Sequence, residues 1–309
     1  MKRSTKIWLI TAALLIIAGG GIFCGAMSKN NWDFSVLDKR NYDTRTVSIT
    51  EDFKNISIAC DTEDVSLLPS EDGKCSVVFY ETEKETHTAV VTDGTLSIEL
   101  LNKREWYDHI SFFSFDTPKI TLYLPKTKYD LIYVGTDTGD VSIATEASLP
   151  EKFKFGKIEV STDTGDIQCE NIGSGDVKLS VSTGQINVDS TTCEGTVKIH
   201  SGTGDLLMRD VSCKTLTANG GTGDVTLDSV LAEEMIAVKL STGDVTFKSC
   251  DAAGLAVITS TGDIKGSLIT DKTFVARSST GRVDVPENTS GGKAVLTTNT
   301  GDISITVIT

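Results

Sequence analysis

The sequence predicts an all-β fold: a parallel β-solenoid of 19–20-residue coils, with an irregular β cap region on its N-terminal side and one transmembrane helix ahead of both. Three observations predict it. Thr-Gly followed by Asp and then an apolar residue recurs to the end of the chain, aliphatic residues recur at fixed offsets from each of those glycines, and one long apolar run stands apart at the N-terminus.

The N-terminal run comes first in the chain. Lys2, Arg3 and Lys6 precede apolar residues 7–27, just enough to cross a bilayer of ~30 Å at 1.5 Å per residue. Basic residues on the short side favour a cytoplasmic N-terminus. A cleaved signal peptide competes with this reading, but the run is longer than a usual signal core and Cys24-Gly25-Ala26 is a poor cleavage site. Phe23 before Cys24 is too bulky for a lipoprotein signal. The uncleaved anchor, residues 1–30, is the reading favoured here.

Removing the anchor changes the charge balance. Residues 1–30 hold four basic residues and no acids, which leaves 25 basic against 43 acidic residues, a net of −18. Such a surface repels nucleic-acid phosphates, so nucleic-acid binding is excluded.

Residues 31–43 read as a polar stalk, and residues 44–131 as the cap region. Strand patterns there fall at 46–49, 55–59, 65–68, 76–80, 89–91, 95–100 and 120–124, with turn signals at Asp72-Gly73 and Asp93-Gly94. They lack the later period, and their expected role is to cover one open end of the solenoid.

The repeats occupy residues 132–309. Their glycines are Gly139, Gly165, Gly184, Gly204, Gly223, Gly243, Gly262, Gly281 and Gly301; after a first interval of 26 residues, each later one is 19 or 20. So narrow a period is one structural unit stacked many times. Seven and five residues before each glycine stand pairs such as Ile158/Val160 and Ile236/Val238, and two and four after it pairs such as Ile186/Val188 and Val225/Leu227. Both are alternations of a strand with one buried face. Each unit is therefore strand, corner, strand. Two such strands cannot bury their apolar faces alone, but coils stacked in register bury them against one another, with Val225 and Val245 on adjacent strands. At ~4.8 Å per coil the nine glycines span roughly 38 Å.

Glycine turns the chain through positive φ without steric cost, and Asp bonds backbone two residues on, so the corner reads as turn chemistry. Thr precedes all nine glycines and suggests a hydroxyl column. Gly175, half a period out of phase, suggests a corner on the opposite edge.

Ile120-Thr-Leu-Tyr-Leu-Pro125, Tyr129-Asp-Leu-Ile-Tyr-Val134 and the Thr138-Gly-Asp-Val141 series together resemble the DUF4097 family of β-strand-repeat proteins, adhesin-like and similar to the LiaG-like envelope proteins of Gram-positive bacteria. The resemblance covers residues 44–309. It implies the fold and an envelope location, and it carries no catalytic residues to transfer.

The residues after the glycines form a ladder: Asp140, Asp166, Gln185, Asp205, Asp224, Asp244, Asp263, Arg282 and Asp302. Stacked carboxylates repel, and Ca²⁺ would relieve that, but one Asp per long coil supplies too few of the six or more oxygens calcium takes. Turn capping is the favoured role and Ca²⁺ the lesser one; no other cofactor is implied. Arg282 is expected as a surface ion pair between Asp263 and Asp302. Cys193 and Cys213 share a phase on successive coils, within reach of a disulfide or packed as two thiols in a small buried column that Ala232 and Ala252 continue. Cys60 and Cys75 are a second candidate pair, while Cys169 and Cys250 fall at core phases.

His87, His109 and His200 lie apart with no evident nucleophile beside them, and no Tyr or Trp follows Tyr133 to build a sugar platform. A polysaccharide-acting enzyme is thus disfavoured. Trp106, Tyr107, Phe112, Phe113 and Phe115 crowd one short insertion, either a contact site or a plug for the solenoid's open end. The C-terminal strand, ending without a cap, is expected to be an adhesive edge for a partner or a second copy. The reading overall is a membrane-anchored, extracytoplasmic scaffold for an envelope protein or surface component, with a passive spacer as its alternative.

Overall fold

The computed structural model describes residues 3–29, 31–32, 42–82, 85–102, 117–145, 153–287 and 290–308. They fall into two compact units, Met1–Asn41 with Arg104–Thr117, and Tyr42–Lys103 with Pro118–Thr309. The first contains one helix, Arg3–Lys29, within which Trp8–Lys29 is long and apolar enough by length and composition to cross a membrane.

The second unit is one sheet, mostly parallel, wound as a solenoid. Equivalent residues meet in register from coil to coil. Ile132 pairs with Ile158, Ile158 with Val177, Val177 with Val197, Val197 with Leu216, Leu216 with Ile236, and Ile236 with Leu255. After the corner, Val225 pairs with Leu206 on one side and Val245 on the other. The stacked aliphatic side chains close the core: Ile158, Leu216, Ile236 and Val245 are fully buried.

Each coil turns inward three times. In the Gly223 coil the buried positions are Val225 and Leu227, then Val230 and Ala232, then Ile236, Val238 and Leu240. The first break follows the glycine corner by six residues and is a column that periodicity alone does not reveal: Asn171, Ser190, Asp210, Ser229 and Ser249 all adopt φ of 50–56°. Asn and Asp are the side chains that best tolerate this left-handed conformation, and Ser hydroxyls bond the local backbone of turns. The second break carries Gly156, Gly175 and Gly195, in line with the opposite-edge corner expected at Gly175.

Both ends of the stack depart from chain order. At the C-terminal end, Leu255 and Ile264 pair with Ala294 and Ile303, which in turn pair with Phe274 and Val283. The last coil of the chain, strands Gly292–Thr300 and Ile303–Val307, thus slots between the Gly262 coil and the Gly281 coil. This corrects the expectation of an adhesive C-terminal edge: the final strand is paired on both sides, and the outer coil is Lys272–Thr280 with Val283–Asp284. Burial gives the reason. Ala294, Leu296 and Ile303 are fully buried and profit from cover on two sides, whereas the outer coil carries an Arg at its corner, a Pro at 286 that cannot extend a ladder, and Val283 at 44% exposure.

The N-terminal end mirrors this. Strands Asn55–Cys60 and Asp64–Pro69 form a coil that pairs with Lys128–Thr138 and Val141–Ala144 on one side and with Thr95–Asn102 and Lys119–Leu124 on the other. So a coil without the glycine corner lies inside the residues expected as cap, and the boundary expected at 131/132 falls within strand Lys128–Thr138. Antiparallel strands Tyr42–Ile49, Cys75–Thr82 and Glu85–Thr92 complete this end.

Candidate functional site

The corner ladder is the most extended arrangement of functional side chains. Each glycine sits at φ between 137° and 153°. At Gly204 a Cβ would also lie 1.9 Å from the Gly184 carbonyl oxygen, so both backbone conformation and close stacking require glycine there.

The carboxylates do not cap their own turns, as expected from turn chemistry; they reach the next coil. Oδ1 of Asp140 accepts the Asp166 backbone N–H at 2.8 Å, Asp166 that of Gln185 at 2.7 Å, Asp205 that of Asp224 at 2.8 Å, and Asp224 that of Asp244 at 2.8 Å. Asp244 takes Asp263, and Asp263 takes Asp302, both at 2.8 Å; Asp302 then takes Arg282 at 2.7 Å. At the other end Asp64, from the coil without glycine, accepts the Asp140 N–H at 3.0 Å. The rule explains Arg282: its rung is the last, and no further N–H needs an acceptor. Arg282 is therefore beyond Asp302, 3.8 Å from its carboxylate, and not between Asp263 and Asp302.

Backbone N–H donors and cations thus share the column's charge. Lys265 holds the Asp244 carboxyl below its ordinary range, helped by the Asp263 N–H. Among the described residues no group of three His, Cys, Asp or Glu side chains is arranged to hold a metal ion.

The threonines before the glycines do align, Thr164 with Thr138 and Thr183, but they face solvent. Buried or half-buried hydroxyls stand two residues earlier. Thr162, Thr259, Ser278 and Thr298 bond the carbonyls of Gly139, Gly243, Gly301 and Gly262 at 2.8–3.2 Å. Their sequence signal is a hydroxyl at the third inward position of an otherwise aliphatic alternation.

Cys193 and Cys213 lie on adjacent coils of one face, next to the paired Thr192 and Ser212, and the column runs on through Ala232 and Ala252. Both are buried thiols. Each packs as a small apolar group, the Cys193 Sγ–H donating to the Gly175 carbonyl at 3.2 Å, and burial pushes the Cys213 thiol up to about 12. Cys60 and Cys75 are likewise thiols, pushed up to about 12 chiefly by burial. Trp106, Tyr107, Phe112, Phe113 and Phe115 lie outside the described residues.

One cluster escaped the sequence reading, which left His87 without a partner. His87 Nδ1 lies 2.9 Å from Glu81 Oε2, and Nε2 faces Glu63 Oε1 at 3.2 Å. Glu63 is fully buried, its Oε2 accepting the N–H groups of Asp61 and Thr62 at 2.9 and 2.8 Å. Arg45 Nε meets Glu81 at 2.7 Å and its guanidinium covers the Phe79 ring at 4.6 Å. Burial alone would lower His87, but the two carboxylates outweigh it and raise its pKa; burial would raise Glu63 and Glu81, but His87 and, at Glu81, Arg45 bring them down. The available signal was parity: Glu81 and His87 occupy inward positions of their strands, and Glu63 takes the place of a corner glycine.

The Toastrack DUF4097 family model matches residues 53–229 and 214–309. Solved structures of similar fold include a "putative adhesin" from Bacteroides fragilis, 16% identical over 87% of this chain and 98% of that one, with a TM-score of 0.49. A "putative adhesin" from Parabacteroides distasonis is 11% identical over 84% and 98% of the two chains at a TM-score of 0.43. A "putative cell adhesion protein" from Clostridium sporogenes is 11% identical over 86% and 99% at 0.29. At these identities and scores the likeness says nothing of ligands. No curated protein matches the chain.

Proposed function

This chain belongs to the Toastrack DUF4097 family, and from that premise we propose that it is a membrane-anchored scaffold, adhesin-like or serving envelope stress, which holds out an acidic β-solenoid for an envelope protein or surface component to bind. The observation that carries the reading is the corner ladder, which runs from Asp64 to Gln185 and again from Asp205 to Arg282 and ties successive coils by side chain as well as by strand pairing, with a break only where Gln185 replaces the Asp. Such a lattice has two packed ends and little freedom between them, which suits presentation of a surface better than a catalytic cycle. His87, the buried histidine, is clamped between carboxylates and structural. The apolar helix Arg3–Lys29 supports the anchored reading, and its basic N-terminal flank favours a solenoid outside the cytoplasm.

The test is made on intact cells expressing the full chain. External protease should digest the solenoid, and alkaline carbonate should leave the chain with the membranes until residues 1–30 are removed. Protection from protease in intact cells, or release into the carbonate wash, would overturn the anchored reading. Photo-crosslinking from a solenoid surface position should yield a defined adduct lost on deleting 105–116; an adduct indifferent to that deletion removes the aromatic segment as the contact, and no adduct at all favours a passive spacer.

A further inference from the structure

At the second break of the coil, near the N-terminal end of the stack, the surface is hollowed into a trough of about 580 Å³. In register along the stack run Lys128, Lys154, Gly173 and Thr192. Lys126 and Thr127 stand beside the first of these, and Glu194 beside the last.

Two features of this trough are not needed by the fold. The first is Gly173. Gly156 and Gly175 are obliged by stacking, since a Cβ would lie 2.5 and 2.4 Å from a carbonyl oxygen of the neighbouring coil. A Cβ on Gly173 would meet nothing nearer than 3.4 Å, and its φ is not positive, so a side chain would fit and would simply fill the trough floor. The second is the lysines. Lys128 and Lys154 are like charges on directly paired positions, which is destabilising unless something neutralises them. One corner away lysines are neutralised within the protein: Lys157 and Lys178 share Glu159 at 2.9 and 2.5 Å. Lys126, Lys128 and Lys154 have no carboxylate partner among the described residues. On a chain carrying 43 acidic residues, three ammonium groups without a carboxylate partner among the described residues ring one concavity, and a cleft focuses their field.

We propose that this trough binds an anionic group carried on a hydroxylated body, of the polyol-phosphate or sugar-phosphate class. The lysines receive the phosphate as point charges. Thr127, Thr192 and the Glu194 carboxylate meet hydroxyls, and Glu194 turns away a ligand that is anionic along its whole length. The site goes beyond the scaffold reading and stands without it, because it is tested on the purified full chain.

Calorimetry on the full chain in phosphatidylcholine nanodiscs, with glycerol 3-phosphate as the probe and glycerol as its neutral control, should show saturable binding to the phosphate alone. Lys128→Glu with Lys154→Glu should weaken it at least tenfold. Gly173→Leu, which keeps every charge, should do the same by occupying the floor, and Lys239→Glu on another face should leave affinity within twofold. If Gly173→Leu fails to fold, Lys154→Gln decides in its place, with a loss of threefold or more expected. Repeating the titration in phosphatidylglycerol nanodiscs separates sources: loss of the soluble probe's binding marks a lipid headgroup as occupant, and unchanged binding marks a soluble or polymeric phosphate. No saturable binding, full affinity in Gly173→Leu, or an equal loss in Lys239→Glu would each overturn the proposal.

Discussion

Asp263→Ala tests the ladder and the exchanged order of the last two coils at once. Its Oδ1 accepts the Asp302 N–H, 39 residues away, at 2.8 Å, in a part-buried setting. A hydrogen bond to a charged acceptor contributes about 1.5–3 kcal/mol. Because the corner is only partly buried, the orphaned N–H recovers some of that from water, and a loss of about 1–2 kcal/mol is expected, or roughly 2–8 °C in Tm for a domain of this size. Asp263→Asn keeps a neutral acceptor and should lose about half as much. Arg282→Ala, at the terminal rung with a side chain 91% exposed, should change Tm by less than a degree. Thermal melts rank the three, and hydrogen exchange locates the effect: in Asp263→Ala the Asp302 amide should lose protection while the Arg282 amide, held by Asp302, keeps it. Loss of protection at Arg282 and not at Asp302 would mean that coils follow chain order and that the ladder is wrongly traced.

Other expectations follow from the same geometry. Thr261→Cys with Thr300→Cys, on paired positions, should crosslink under mild oxidation, whereas Thr261→Cys with Thr280→Cys, two coils or about 9.6 Å apart, should not, as read by mobility on non-reducing gels. Gly204→Ala combines positive φ with a clash against Gly184 and should cost about 3 kcal/mol or more, measured by denaturant midpoint. His87, raised above its ordinary 6.5, contributes stability that is complete below that value and is lost as pH rises through the raised one. Glu63 and Glu81, held below 4.5, contribute stability that is complete above it and is lost as pH falls. The cluster is therefore strongest between 4.5 and 6.5, and His87→Gln should abolish the alkaline decline while costing roughly 3 kcal/mol, chiefly for the buried Glu63 left without its cation while Glu81 keeps Arg45. Cys213, pushed up to about 12, should resist alkylation in the native protein at pH 8 and react on unfolding.

What the corners reveal and what they hide differ in kind. The apolar positions around Gly184 or Gly223 were legible because a strand declares its buried face by alternation, and a repeat declares it many times over. The direction of the Asp side chains was not legible, since an acceptor satisfied within its own turn and one satisfied by the next coil have the same residue in the same place. The cluster of Glu63, His87 and Glu81 was hidden for another reason: its members come from one corner and two strands, separated by 6 to 24 residues, and only pairing brings them together.

The sequence by itself determined which residues are equivalent: the period, the glycine corners, the buried columns and the in-register meeting of Val225 with Val245 all follow from offsets counted along the chain. Only the tertiary structure decided which copy stacks on which. Near-identical coils offer near-identical faces, so periodicity cannot order them. The order is set at the ends, where Ala294 and Ile303 gain cover on both sides, Arg282 is left where no N–H awaits an acceptor, and the coil holding Glu63 is drawn inside the stack.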